Sequence, residues 1–325
     1  MNRRHFLDAL AATALATVAP LARAQDGYPQ QLIKWVVPFS AGGGTDILAR
    51  ALAEAMRAGL GQQIIIDNRP GAATNIGAEY VARAKPDGYT VLSAGSGLLA
   101  FNEHLFRKLP FSPEMDFSYI GAIGKFPLVL VVNPAFPAAD FKAFMARVQA
   151  APGEVNYASP GNGSSHHLAM ELFQGRTGTR LTHVPYRGAA QAMQDVMGGQ
   201  VPAMFLDLAS GAAIIKAAKV RPLAMGSRAR SPLLPDVPTL AELGVPDAEV
   251  FAFQGLLGPA GLPEPVIARL NQELNTALSK PAVFKMFTEF GFEPLPGTPA
   301  EFKALARAES ARWGEVIRAN KIALD

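Results

Sequence analysis

From residue 33 onward, short apolar runs rich in β-formers alternate with amphipathic helical stretches. Ile33-Lys34-Trp35-Val36-Val37 predicts a strand, and it stops at Pro38-Phe39-Ser40-Ala41-Gly42-Gly43-Gly44-Thr45, which suits neither helix nor strand. Leu48, Leu52, Ala55 and Met56 then share one helical face, with Thr45 or Asp46 placed to cap it. Ile64-Ile65-Ile66 predicts a second strand, Asp67 to Gly71 a turn, Asn75 to Ala84 a helix and Thr90-Val91-Leu92-Ser93 a third strand. Strands and helices alternating at this spacing imply a parallel sheet with right-handed crossovers.

The same order returns after residue 150. Val155 to Ala158 is a short strand, Ser159-Pro160-Gly161-Asn162-Gly163-Ser164 a Gly-rich loop, and His166 to Phe173 a helix. Leu181 to Val184, the turn Pro185-Tyr186-Arg187-Gly188, the helix Ala189 to Met197 and the strand Val201 to Leu206 complete it. The turns correspond as well: Arg69-Pro70-Gly71-Ala72-Ala73 is answered by Arg187-Gly188-Ala189-Ala190. Because the unit recurs only once, the expectation is two doubly wound α/β lobes around a cleft rather than a solenoid.

Tyr119 to Gly124 followed by Leu128 to Val132 reads as one crossover between the lobes, with Gly121 and Gly124 suited to a hinge. Val250 to Leu257 reads as the return, after which Pro263 to Leu278, Ala282 to Phe290 and Pro299 to Arg318 predict helices on the first lobe. The expected division is residues 25–124 with 250–325 as one lobe and 125–249 as the other.

Residues 1–24 read as an export signal. Asn2-Arg3-Arg4 is basic, Ala9 to Ala22 is apolar but too short to span a membrane, and Ala22-Arg23-Ala24 is a small-x-small cleavage site before Gln25. Arg3-Arg4-His5-Phe6-Leu7 also resembles a twin-arginine signal, although Asp8 stands where Lys is usual; general secretion is the alternative route. The mature protein is expected in the periplasm. Cleavage removes Arg3, Arg4, Arg23 and Asp8, three of 30 basic and one of 27 acidic side chains, so the net charge falls from +3 to +1. No basic run or aromatic-basic interleaving remains to suit nucleic acid. With no Cys, stability rests on the core; at 49% hydrophobic and 18% charged, a substantial one is expected.

Each predicted lobe places a Gly-rich loop where a strand ends and a helix begins, the usual ligand position in doubly wound sheets. Unpaired amides at a helix N-terminus suit an anion, and Ser40, Thr45, Ser164 and Ser165 add hydroxyls without adding charge. A small carboxylate held between the loops is therefore the ligand expected, through Ser40, Ala41, Gly42, Gly43 and Thr45 on one side and Gly163, Ser164 and Ser165 on the other. Gly42-Gly43-Gly44 lacks the dinucleotide spacing, and no phosphate loop, Gly-x-Ser-x-Gly elbow, His-Glu-x-x-His motif or Cys cluster exists. No catalytic residue, metal site or cofactor is expected; Ser96 lies in Gly95-Ser96-Gly97, which is not the elbow.

Several residues carry two readings. Asp46 either caps its helix or turns its carboxylate elsewhere, to order the loop or meet a ligand amine. Asp207 is either a strand-end turn residue or a partner for a ligand ammonium. His166 and His167 point about 100° apart on a helix, so they do not chelate one ion, and one of them, taken as His167, reaches the cleft. His183 sits in an apolar strand and reads as core. Phe39 and Tyr186 either pack on the ligand's carbon skeleton or anchor the core.

Pro38 to Asp46, Asn68-Arg69-Pro70-Gly71-Ala72, Lys85-Pro86-Asp87-Gly88-Tyr89-Thr90, Tyr157 to Leu168, Val184 to Gly188 and Leu223 to Gly244 together resemble the Bug family. These are the extracytoplasmic solute receptors of tripartite tricarboxylate transporters, and the resemblance covers essentially the whole mature chain. It implies a type II periplasmic binding protein that closes on a small carboxylate, gripping it by backbone amides, hydroxyls and ordered water. It also implies that the loop Ser93 to Asn102, including Ser96 and Gly97, varies with ligand. In Met204-Phe205-Leu206-Asp207 the family's adjacent Phe and Asp are separated by Leu206. The reading is then a monomeric receptor with a transporter's membrane subunits as partners. The competing readings are a sensory binding protein docking on a signalling receptor and, behind it, an exported enzyme on the same scaffold.

Overall fold

The computed structural model describes residues 27–324; the predicted export signal lies outside them. Three parallel strands, β1 (Ile33–Val37), β2 (Ile64–Asn68) and β3 (Thr90–Gly95), alternate with α1 (Gly44–Leu60) and α2 (Asn75–Ala82) and lie in the order β2-β1-β3. α1 follows from its sequence pattern: Leu48, Ala49, Leu52, Ala53, Met56 and Leu60 form its buried stripe, and Gly61 ends it in the left-handed region at φ 67°. After β3 the chain forms a wide helical turn, Gly97–Phe101, continuing into α3 (Asn102–Leu105). This segment was expected to be a loop. Leu98, Leu99, Ala100 and Phe101 are instead all buried, which accounts for its apolar sequence.

The second unit repeats the first. β5 (Asn156–Ser159), β6 (Thr182–Pro185) and β7 (Ala203–Asp207) alternate with α5 (Ser165–Thr177) and α6 (Ala189–Met197), and their order is β6-β5-β7. Between the units come β4 (Phe117–Val132) and α4 (Phe141–Ala150); after β7 come α7 (Leu208–Lys216) and β8 (Arg221–Met225).

β4 joins the two sheets. It pairs antiparallel with β9 (Phe251–Pro259) through Pro127, and from Leu128 it runs antiparallel to β7. The pairing with β9 carries bulges at Tyr119/Gly121 and Ala122/Gly124. Gly121 and Gly124, read from the sequence as suited to a hinge, are also packing positions. A methyl on Gly121 would lie 2.8 Å from the Asn271 amide, and one on Gly124 would lie 2.3 Å from the Phe292 ring.

The chain closes with α8 (Glu264–Leu278), α9 (Pro281–Glu289), the short β10 (Glu293–Pro294) and α10 (Pro299–Ala319). α10, expected on the first lobe, touches the wide helical turn and β4 and reaches α5 of the second unit as well. Trp313 of α10 meets Phe101 edge-on, with ring centroids 5.6 Å apart. One apolar core runs from Val36 and Leu92 through Phe253 and Phe302 to Leu130 and Phe205, so both sheets share it across β4 and β9. Smaller cores lie under α1 and α8 and beside α6 and α7. Among the described residues, no helix is long and apolar enough to cross a membrane.

Candidate functional site

In the first unit, the loop from Phe39 to Gly43 is exposed and is held from below by Asp46. Asp46 is 2% exposed, and its carboxylate accepts bonds from the Gly42 N–H, Arg50 Nε and Asn68 Nδ2, each at 2.9 Å. Asn68 Nδ2 also donates to the Phe39 carbonyl at 3.0 Å. The Arg50 bond, helped by Gly42 and Asn68, holds the carboxyl down at about 2 against the opposing effect of burial. Of its two readings, Asp46 therefore takes loop ordering. Its oxygens are already engaged, and the N-cap of α1 is Gly43, with no side-chain cap.

In the second unit, Ser164 caps α5, accepting from the His167 N–H at 3.3 Å. The Gly163 N–H donates to His167 Nδ1 at 3.0 Å. His167 turns inward and stacks on His183 at 3.9 Å, and His183 stacks in turn on Tyr157 at 4.9 Å. His183 Nε2 lies 2.6 Å from Ser159 Oγ. Burial, joined by the proximity of His183, pushes His167 down to about 4; burial does the same to His183. Tyr186 donates to Asp195 Oδ2 at 2.7 Å, and burial raises its hydroxyl to about 12.

A cavity of 490 Å³ lies between the units. From the first side come Phe39, Gly44, Thr45, Ile47 and Leu48, with Phe126, Ala252 and Gln254 from β4 and β9 and Phe290 and Phe292 from the C-terminal segment. The second side contributes Ser165, His166, Ala189, Asp207, Ala209 and Ser210. The N-terminal turns of four helices thus converge here. α5 and α7 are capped by Ser164 and Asp207, whereas α1 and α6 begin at Gly43 and Gly188 without side-chain caps. Gln254 Nε2 donates to Thr45 Oγ1 at 2.6 Å. Asp207 accepts from the Ser210 N–H at 2.8 Å, and its other oxygen lies 3.5 Å from His166 Nε2. Burial raises the Asp207 carboxyl, but His166 and Ser210 outweigh it, and the net position is below the ordinary value.

Of the expected residues, the cavity brings together Phe39, Thr45, Ser165 and Asp207. Ser40, Ala41, Gly42 and Gly43 form the exposed loop between Phe39 and Gly44. Ser96 is buried and accepts from the Phe253 N–H at 2.9 Å, while Gly97 is half-buried with open space beside it. Gly163, Ser164, His167 and Tyr186 do not line the cavity, and it is His166 that does. Sequence reasoning missed Gln254 and the phenylalanines Phe126, Phe290 and Phe292. Gln254 had a signal, being the one polar side chain in the apolar run Val250 to Leu257. The phenylalanines had none, since no motif or period sets them apart from the chain's other aromatic residues. Among the described residues, no cluster of His, Asp and Glu is arranged to hold a metal.

Two lobes of matching topology around a cleft rich in helix N-termini define a two-lobed solute-binding protein. The tripartite tricarboxylate transporter family receptor matches residues 48–322, and the chain belongs to that family. BugT of Bordetella pertussis is 37% identical over 294 residues, spanning 90% of each chain. A protein of R. palustris solved with adipate is 34% identical over 91% of this chain and 99% of its own, with a TM-score of 0.82. MatC of Rhodopseudomonas palustris, solved with bound malate, is 32% identical over 89% of this chain and 100% of its own, with a TM-score of 0.78. The periplasmic binding protein BugD superposes with a TM-score of 0.79. The chain is a solute-binding protein, not an enzyme.

Proposed function

We propose that the chain is exported to the periplasm, captures a small carboxylate between its two lobes and delivers it to the membrane subunits of a tripartite transporter. The observation that carries this is the pair of uncapped helix starts, α1 and α6, at one cavity whose lining holds no lysine or arginine. Such a site offers an anion backbone amides and partial positive charge, with hydroxyls from Thr45 and Ser165 beside them. The adipate- and malate-bound relatives support the same ligand chemistry. The lobes taken to move are residues 25–124 with 250–325 and residues 125–249. A bound anion stabilises the closed arrangement by contacting both, and closure is what the transporter reads.

The test is a set of thermal melts on residues 25–325, unfolded and refolded to strip ligand, with mono-, di- and tricarboxylates, amino acids and sugars. A ligand at about a hundred times its Kd stabilises by about 2.7 kcal/mol and moves the midpoint by several degrees. A shift with one carboxylate class, absent with its amide, supports the receptor; a shift only with a sugar or neutral solute overturns it.

A further inference from the structure

The cavity has two chemically different ends. Its apolar wall is large, with Phe39, Ile47, Phe126, Phe290 and Phe292 surrounding the space. Its one formal charge is negative, since Asp207 is the only ionised carboxylate in the lining and no lysine or arginine balances it. A ligand with two carboxylates would place three anionic groups in one poorly solvated space, a cost that backbone dipoles only partly offset.

The Asp207 end is already arranged around acceptors. Its Oδ1 is taken by the Ser210 N–H, so the start of α7 is satisfied without a ligand. Its Oδ2 faces His166 Nε2 at 3.5 Å, with the two side chains 17% and 11% exposed. His166 Nε2 is buried and makes no hydrogen bond. With a cationic donor between the two side chains the imidazole takes the tautomer with its proton on Nδ1, and Nε2 then becomes a second acceptor beside the carboxylate oxygen. Two adjacent acceptors bordering a cavity form a notch for a cationic donor. The free helix starts at Gly44 and Ala189 are where the anionic end of the same ligand goes.

Building on the receptor reading, we propose that the ligand is a zwitterionic amino acid with an apolar side chain: its ammonium sits between His166 Nε2 and Asp207 Oδ2, its carboxylate at the starts of α1 and α6, and its side chain against the phenylalanine wall.

The experiment is calorimetric titration of ligand-stripped protein with phenylalanine, leucine, their deaminated counterparts 3-phenylpropionate and 4-methylpentanoate, and the dicarboxylates malate and adipate. At least one amino acid is expected to bind about tenfold or more tighter than its deaminated counterpart. Asp207→Asn keeps the helix cap, because Asn caps as well as Asp. It is expected to erase most of that preference, weakening amino-acid binding while the deaminated acid, relieved of the carboxylate's repulsion, binds no more weakly than before, and His166→Ala is expected to reduce the preference in the same direction. Unliganded melts of both variants verify folding. Equal binding of amino and deaminated acids, or an amino-acid preference that survives Asp207→Asn, overturns the proposal. Binding of dicarboxylates alone overturns it while leaving the receptor reading intact, and silence of every acid overturns both.

Discussion

The Gln254 side-chain amide donates to the Thr45 hydroxyl at 2.6 Å, tying the strand that returns from the second unit to the first turn of α1. Both residues border the cavity, so the strand lying between β3 and β4 is linked directly to a helix start at the cavity. Thr45→Val keeps the shape of the side chain and removes the hydroxyl. It is expected to lower unliganded stability by about 1 kcal/mol and ligand affinity by about tenfold, read by denaturant titration and calorimetry. Unchanged affinity would show that the ligand does not use this helix start.

Asp46 organises the loop from Phe39 to Gly43 from beneath, outside the cavity lining. Asp46→Ala strips the Gly42 N–H and the Asn68 amide of their shared acceptor, and an expected loss of about 3 kcal/mol follows from breaking a buried, charge-assisted network. Affinity should fall with it, because the loop from Phe39 to Gly43 is then unanchored. A denaturant midpoint within experimental error of the parent would refute this.

The stacked histidines set an acid limit. His167 and His183 are held near 4 in the fold, whereas an unfolded histidine titrates near 6.5. The unfolded chain therefore binds more protons between those values, and stability is complete above about pH 6.5 and declines as pH falls toward 4. The slope reaches up to about 1.4 kcal/mol per pH unit for each histidine. A further decline, from Asp46 held at about 2, belongs to the range below about pH 4. Urea midpoints across pH 4 to 7 for the parent and a His167→Gln, His183→Gln variant measure this, and the variant should show the shallower slope.

Glycines at the site and in the core should respond oppositely to a methyl. Nothing lies within 4 Å of the position a Cβ on Gly44 would take, and Gly44 begins a helix and lines the cavity. Gly44→Ala is expected to leave stability unchanged or raise it by up to about 1 kcal/mol while weakening ligand binding about tenfold or more. On Gly255 the same methyl would meet the Phe302 ring at 2.1 Å, and Gly255→Ala should cost about 1–3 kcal/mol. Melts with and without ligand separate the two.

Much of the architecture was legible because its signals are local. The apolar stripe of α1, the Gly-rich ends of β1 and β5 and the matching Arg-containing turns each depend on neighbours within a few residues, whereas the orders β2-β1-β3 and β6-β5-β7 came from the structure. The cavity was less legible. Whether His166 or His167 faced it depended on a stack with His183, a residue on another strand. The segment after β3 resembled a ligand loop, but Phe101 lies against Trp313 of α10 and the segment forms core.

The sequence by itself determined the repeated βαβαβ units, the glycine-rich strand-to-helix turns and the shortage of cationic groups near them, because propensity, periodicity and turn chemistry act over short spans. Only the tertiary structure decided which side chains meet. It placed Gln254 on Thr45 and Phe126, Phe290 and Phe292 around the same cavity, turned Asp46 beneath the loop and brought Asp207 to His166, because each approach joins segments positioned by packing the shared core.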